Sequence, residues 1–279
     1  TFGHVLVIAG SRGKAGAARM TALAALRAGA GLVTVALPRS LSDALVPGAM
    51  EVMTLGYDET AGGTLAFSAL PALRRALEGK DAVALGPGLT THPEVLKLVR
   101  ALVPRIRVPL VLDADGLNVF AKDRRGLSGS RRALLMTPHP GEMARLMGTT
   151  GARVLADRLG MAERMARRLK AQVILKGYRS IVASPDGTTS VNPTGNPGMG
   201  TGGSGDVLTG LLAGFLAQGM AAKDAARTGV YLHGLAGDLA AARLGEEALI
   251  ARDLLEQFPR ALRVVKTAAP APRAAWVSL

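Results

Sequence analysis

The sequence predicts an α/β chain built on a doubly wound, mostly parallel sheet with helices on both faces. Three observations carry this. Short strands such as Val5-Leu6-Val7-Ile8 and Leu110-Val111-Leu112 are apolar on both sides, as strands buried between two helical layers are. Strand and helix patterns alternate along the chain, the mark of βαβ units. No linker and no internal repeat divides the 279 residues, a length that one large α/β domain reaches. One catalytic domain is expected over residues 1–265, with an extended, weakly ordered tail over 266–279.

The elements follow in order. Strands are expected at 5–9 and 32–37, with a helix over 15–29 between them. Helices are expected at 65–77 and 94–103, around a strand at 82–85. Strands at 110–113 and 133–136 precede a long helix over 152–170 and a strand at 173–176. Pro185-Asp186-Gly187 is a turn with fixed φ at Pro and freedom at Gly, so 181–183 and 189–191 form a hairpin. Two helices follow, at 204–218 and 223–243.

Composition narrows the function. The chain carries 34 basic and 21 acidic residues, a net charge of +13, which favours an anionic partner. The basic residues are mostly Arg and are spread along amphipathic stretches. Aromatic residues make up 3%, too few for base-stacking platforms. A small anionic ligand is therefore expected and nucleic acid is not. No run of 18 apolar residues occurs, so no membrane partner is expected. The chain opens on Thr1 without a Met or a charged-then-apolar leader. That start fits a trimmed chain or one part of a longer protein. Cysteine is absent, which excludes disulfides and thiolate chemistry and fits a cytoplasmic address.

In an open α/β sheet, ligands gather at the carboxyl ends of the strands. The sharpest segment there is Asn196-Pro197-Gly198-Met199-Gly200-Thr201-Gly202-Gly203-Ser204-Gly205-Asp206, leading into a helix. Glycines let backbone N–H groups approach an anion, and the helix start adds a positive dipole end. A carboxylate in that first turn, Asp206, repels phosphate unless it takes a proton or helps hold a metal ion. Leu175-Lys176-Gly177-Tyr178-Arg179-Ser180 exposes amides beside a Lys that can meet phosphate as a point charge. A plain hairpin explains it equally well.

Pro138-His139-Pro140 fixes its backbone. His139 either meets a ligand and moves a proton or sits in a structural turn. Asp113 and Asp115 either orient a ligand or metal or cap the following turn. Gly86-Pro87-Gly88 forms a tight turn against which a ligand can lie. Gly10-Ser11-Arg12-Gly13-Lys14-Ala15 fails the phosphate-loop spacing and reads as a loop leading to a helix that lines the substrate cleft. Tyr231-Leu232-His233-Gly234 lies within a helical period, so a packing role is assigned to His233.

Taken together, the run from Asn196 to Gly210, Gly86-Pro87-Gly88, Asp113-Ala114-Asp115, Pro138-His139-Pro140-Gly141-Glu142 and Tyr231-Leu232-His233-Gly234 resembles the ADP/ATP-dependent NAD(P)H-hydrate dehydratases, a ribokinase-like family. The resemblance runs from Val5 to about Arg252. It implies repair of NADHX or NADPHX, hydrated at C6 of the nicotinamide ring, at the expense of ADP or, less commonly in prokaryotes, ATP. It implies that Asp206 takes the proton of the C6 hydroxyl, while the amides of Gly202, Gly203, Ser204 and Gly205 stabilise the phosphoryl charge. Lys176, Gly177, Tyr178, Arg179, Ser180 and Gly205 would hold the nucleotide. Ala17, Gly88, His139 and Asp206 would meet the hydrated dinucleotide. Ser180 stands where Thr is usual, and Gly200 where Ala is usual. The family further implies Mg²⁺, held mainly by nucleotide phosphates, and a homotetramer. Some members carry a fused N-terminal epimerase domain. The competing readings are a small-molecule kinase of the same superfamily and a nucleotide-binding module without turnover.

Overall fold

The computed structural model describes residues 2–45, 47–121, 123–267 and 277–278. The first half alternates β1 (His4–Ile8), α1 (Ala15–Arg27), β2 (Leu32–Pro38), α2 (Ser42–Leu45), β3 (Met53–Tyr57), α3 (Leu70–Ala76), β4 (Ala82–Leu85) and α4 (Pro93–Leu102). It continues with β5 (Leu110–Leu112), α5 (Ala114–Asn118), β6 (Leu134–Met136), α6 (Pro140–Met147), α7 (Gly151–Ala156), α8 (Arg158–Leu169) and β7 (Gln172–Leu175). The hairpin β8 (Ile181–Ala183) and β9 (Thr189–Val191) precedes α9 (Ser204–Ala217), α10 (Ala222–Leu244), α11 (Ala251–Thr267) and β10 (Val277–Ser278).

All strands join one sheet in the order β10-β9-β8-β7-β6-β5-β4-β1-β2-β3. The seven strands from β7 to β3 are parallel, and β8, β9 and β10 extend the sheet antiparallel. The fold is thus the doubly wound, mostly parallel sheet expected. Strand order reverses between β1 and β4, the switch point where such sheets open a crevice.

Each face of the sheet carries its own apolar cluster. Residues of α1, α9, α10 and α11 fill one, including Leu211, Leu212 and Phe258. Residues of α3, α4, α6 and α8 fill the other, including Leu98, Met143 and Met165, joined by Phe120 just after α5. Helices α1 and α9 approach backbone to backbone. A Cβ at Gly210 would stand 2.1 Å from the Thr21 carbonyl oxygen, and one at Gly214 2.6 Å from that of Ala25.

Several elements depart from expectation. β3 lies at the sheet edge with Met53 and Leu55 exposed, so it lacks the two-sided apolar signature of its neighbours. The helix expected over 65–77 begins at Leu70, because residue 65 bridges back to Glu59. The helix expected over 152–170 is two helices. Asp157 breaks it and caps the second by accepting from the Gly160 N–H at 3.0 Å. The turn expected at 137–142 opens a full helix, α6. α11 was not expected at all: Pro259 stands inside it, yet Leu254, Phe258 and Ala261 bury one stripe. Of the tail, α11 takes in residues 266 and 267 and β10 pairs with β9, while 268–276 and 279 lie outside the described residues.

Candidate active site

Parallel pairing brings the carboxyl ends of β1, β4, β5, β6 and β7 to one edge of the sheet. The loops after them carry Gly10, Gly86, Asp113, Thr137 and Lys176. Beside this row lies a cavity of about 620 Å³. Lys176, Gly177, Tyr178, Arg179, Ser180, His139, Ser204 and Gly205 all line it. Every residue expected on the nucleotide side therefore meets in one place.

α9 begins at the cavity. Gly203 precedes it with φ +96°, a left-handed conformation that only Gly adopts freely. That residue turns the chain into the first turn of α9, where the Ser204 N–H donates to the Thr201 carbonyl at 3.4 Å. His233 of α10 lies behind. Its Nε2–H donates to the Ser204 carbonyl at 2.9 Å, and burial lowers its pKa to about 4, so the ring is neutral. The packing role expected for His233 is thus a specific one, since it holds the first turn of α9 and also lines the cavity. α10 steadies the glycine-rich loop too. Asp238 accepts from the Gly195 N–H at 2.9 Å and the Asn196 amide at 3.0 Å. The helical spacing of His233 and Asp238 was the only sequence signal for these contacts.

His139 caps α6. Its Nδ1 accepts from the Gly141 N–H at 3.0 Å and the Glu142 N–H at 3.4 Å, and Glu142 returns a bond from the His139 N–H at 2.8 Å. A nitrogen that accepts two N–H groups carries no proton, so Nε2 holds it and is the ring's donor. Burial, then Lys176 and Arg145, lower the His139 pKa. His139 thus has a structural role at the start of α6, and its Nε2 stands 3.5 Å from Glu142 Oε1 while the residue also lines the cavity.

Behind Gly205 lies a buried charge cluster. Asp113 is 1% exposed. Its Oδ1 accepts from Lys176 Nζ at 2.7 Å and its Oδ2 from the Thr209 hydroxyl at 2.8 Å. Glu142 Oε2 stands 3.9 Å from the same Nζ. Burial alone would lower the Lys176 pKa, but Asp113 and Glu142 outweigh it and hold it above its ordinary value. Burial raises Glu142. Asp206, in the first turn of α9, is pushed up to about 7 by burial and then by the charge of Asp113, with Lys176 opposing. Lys176 is therefore an ion-paired residue as well as part of the cavity wall. The capping role weighed for Asp113 does not hold, because its side chain makes no bond to the start of α5. Asp115 instead accepts from the Thr90 N–H at 2.8 Å.

Ala17 and Gly88 lie outside the cavity wall. They meet each other at the β1/β4 crevice, where a Cβ on Gly88 would stand 3.1 Å from that of Ala17. The Ser11 hydroxyl donates to the Gly88 carbonyl at 2.7 Å and ties the two loops together. His139, grouped with this pair on sequence grounds, shares the cavity with residues 176–180 instead. Among the described residues, no group of three or more His, Cys, Asp or Glu is placed to hold a metal ion.

A half-buried acid at a glycine-led helix start, set where parallel strands end, marks a protein of ribokinase-like fold. Within that class the chain belongs to the NAD(P)H-hydrate dehydratase family, which it matches over residues 5–260. It is 50% identical over 262 residues to the bifunctional NAD(P)H-hydrate repair enzyme of Moorella thermoacetica, covering 94% of this chain and 49% of that one. It is 37% identical over 257 residues to the ADP-dependent (S)-NAD(P)H-hydrate dehydratase of Xanthomonas campestris, covering 92% and 87%. The crystal structure of the ADP/ATP-dependent NAD(P)H-hydrate dehydratase from Bacillus subtilis, co-crystallised with ATP and Mg²⁺, superposes with a TM-score of 0.81 at 29% identity, covering 95% and 92%. The chain spans about half the length of the bifunctional relatives it matches. Among the described residues no helix is long and apolar enough to cross a membrane.

Proposed function

We propose that the chain dehydrates the S-epimer of NADHX or NADPHX back to NADH or NADPH, using ADP as phosphoryl donor. The observation that carries this reading is Asp206. It is a half-buried acid at the start of α9, beside a cavity lined by a Lys and by glycine-rich backbone, with its pKa raised to about 7. A base poised near working pH is suited to take a proton from a hydroxyl. The C6 hydroxyl oxygen forms a bond to the terminal phosphorus of ADP while Asp206 takes its proton. The bond from that phosphorus to the bridging oxygen breaks and AMP leaves. The ring nitrogen lone pair then expels phosphate from C6, and loss of the C5 proton restores the double bond.

The N–H groups of Gly203, Ser204 and Gly205 are assigned to the phosphoryl oxygens, where each aligned donor contributes about 10²–10³-fold. The Lys176–Ser180 loop is assigned to the nucleotide, and Ala17, Gly88 and His139 to the hydrated dinucleotide. The side chains fit a Mg²⁺ ion held by nucleotide phosphates and water, because Asp113 is taken by Lys176 and Thr209, and Glu142 by the His139 backbone. Such an ion neutralises phosphate charge when bound. The family resemblance also supports a homotetramer.

The test is to incubate the protein with Mg²⁺ and hydrated NADPH, adding ADP, ATP or neither, and to follow recovery of reduced-nicotinamide absorbance. Recovery that depends on ADP is expected. A stable phosphorylated product from another small molecule, with no recovery, would replace this reading with a kinase.

Two smaller predictions follow from the same geometry. Asp206 must be ionised to accept a proton, so turnover should fall as pH drops through about 7. A kcat–pH profile flat from pH 6 to 8 would remove Asp206 as the base. His139→Ala should raise the Michaelis constant for the hydrated dinucleotide and destabilise the protein by about 1 kcal/mol through loss of the α6 cap. An unchanged Michaelis constant would leave His139 with the cap alone.

A further inference from the structure

Asp113 stands at the helix-capping position of α5, with extended backbone at φ −135° and ψ 165°. An Asp there ordinarily accepts from the N–H two or three residues on, a bond worth about 1 kcal/mol. This side chain makes no such bond. It turns the other way, and both oxygens are occupied, one by Lys176 Nζ and one by the Thr209 hydroxyl. Thr209 is fully buried and lies one turn beyond Asp206 on α9, on the same face of the helix. The helix that carries the acid therefore also carries the hydroxyl that fixes Asp113. Gly205 lies over the pair. A Cβ built there would stand 3.3 Å from Lys176 Nζ and 3.7 Å from Asp113 Oδ2.

We propose that Asp113 is a positioning residue of this site: it anchors the Lys176 ammonium at the cavity wall and sets its carboxylate beside Asp206, with Thr209 holding it in place. The assignment rests on the reading of Asp206 as the base. It makes one ammonium serve two tasks, meeting nucleotide phosphate and limiting the repulsion between Asp113 and Asp206. Other charged groups face the cluster from every side. Asp115 adds negative charge, with Lys14 Nζ 4.0 Å from its carboxylate. Glu142 sits across Lys176 on α6. His139 and His233 both have lowered pKa values and are neutral near pH 7. Asp113 and Lys176 are thus the charges that tune Asp206 most directly, one raising its proton affinity and one lowering it.

Asp113→Asn keeps the shape and the Thr209 contact but removes the charge. Loss of that charge, and release of Lys176 from it, both favour ionised Asp206. The variant should therefore move the acid limb of the kcat–pH profile down by about one pH unit, as loss of a neighbouring like charge does. It should also lower kcat by at least about tenfold and raise the Michaelis constant for ADP. The Asp206 carboxyl carbon, followed by NMR in the free protein, should titrate correspondingly lower. Thr209→Val should give a smaller loss of kcat, restored in Thr209→Ser. A folded Asp113→Asn protein whose Asp206 titration and acid limb stay put overturns the proposal. Should Asp113→Asn not fold, Thr209→Val decides it. Full activity in that variant, or no recovery in Thr209→Ser, overturns the assignment. Absence of turnover in the wild type would instead sink the dehydratase reading, while the Asp206 titration still decides the Asp113–Asp206 coupling.

Discussion

Replacing Asp206 with Asn should lower turnover by about 10²–10⁴-fold, the range for a lost general base, and leave ADP affinity nearly unchanged. The amide fills the same space at the start of α9 but takes no proton. The N–H groups of that first turn and the Lys176–Ser180 loop stay in place, so the nucleotide still binds. Folding offers a control. The Asp206 carboxyl has its pKa raised to about 7. Its contribution to stability is complete below the ordinary carboxylate range and is lost as pH rises through about 7. At pH 8 the Asn variant should therefore melt at or above the wild-type temperature. Calorimetric ADP binding with single-turnover kinetics separates the cases. Undiminished turnover would take Asp206 out of the mechanism, whereas lost affinity would assign it to binding.

The second large effect is on the fold. Gly210→Ala should destabilise the protein by about 3 kcal/mol, the upper part of the range for overpacking. The added Cβ would press on the Thr21 carbonyl at 2.1 Å and on the Ala24 Cβ at 2.6 Å. The first of these is backbone, so no rotamer change relieves it, and α1 and α9 must separate. Because α9 also carries Asp206, the variant should lose activity at temperatures where it is still folded. Thermal melts and activity measured on one preparation test this. A Tm within 2 °C of wild type would show that the helices part at little cost.

The sheet was legible in the sequence where burial is two-sided. β1, β4, β5 and β7 are apolar on both faces, and the hairpin turn at 185–187 names its own geometry. β3 escaped because an edge strand shows only half the pattern. α11 escaped because Pro259 argues locally against a helix, and packing of Leu254 and Phe258 overrides it. The glycine-led start of α9 was legible because every part of it lies within eleven neighbouring residues.

The charge cluster was not. Asp113, Glu142, Lys176 and Asp206 come from four separate segments and meet because β5, β6 and β7 are parallel neighbours, an order that no local pattern encodes. The direction of the Asp113 side chain was hidden for another reason. The backbone of a capping Asp looks the same whether its carboxyl turns toward its own helix or away from it.

The close seam between α1 and α9 has a bearing on how the molecule assembles. It joins the first helix of the chain to one that begins about 190 residues later, and Gln218 bonds across it to the Ala28 carbonyl. Closing so long a loop is entropically slow, and parallel strands, each reached by a crossover, add further distant contacts. The acid at the start of α9 is thus set among its partners only when the two ends of the domain have met. A nascent chain that stops short of α9 leaves the small-residue face of α1 open to water, and folding is complete only once that late helix closes over it.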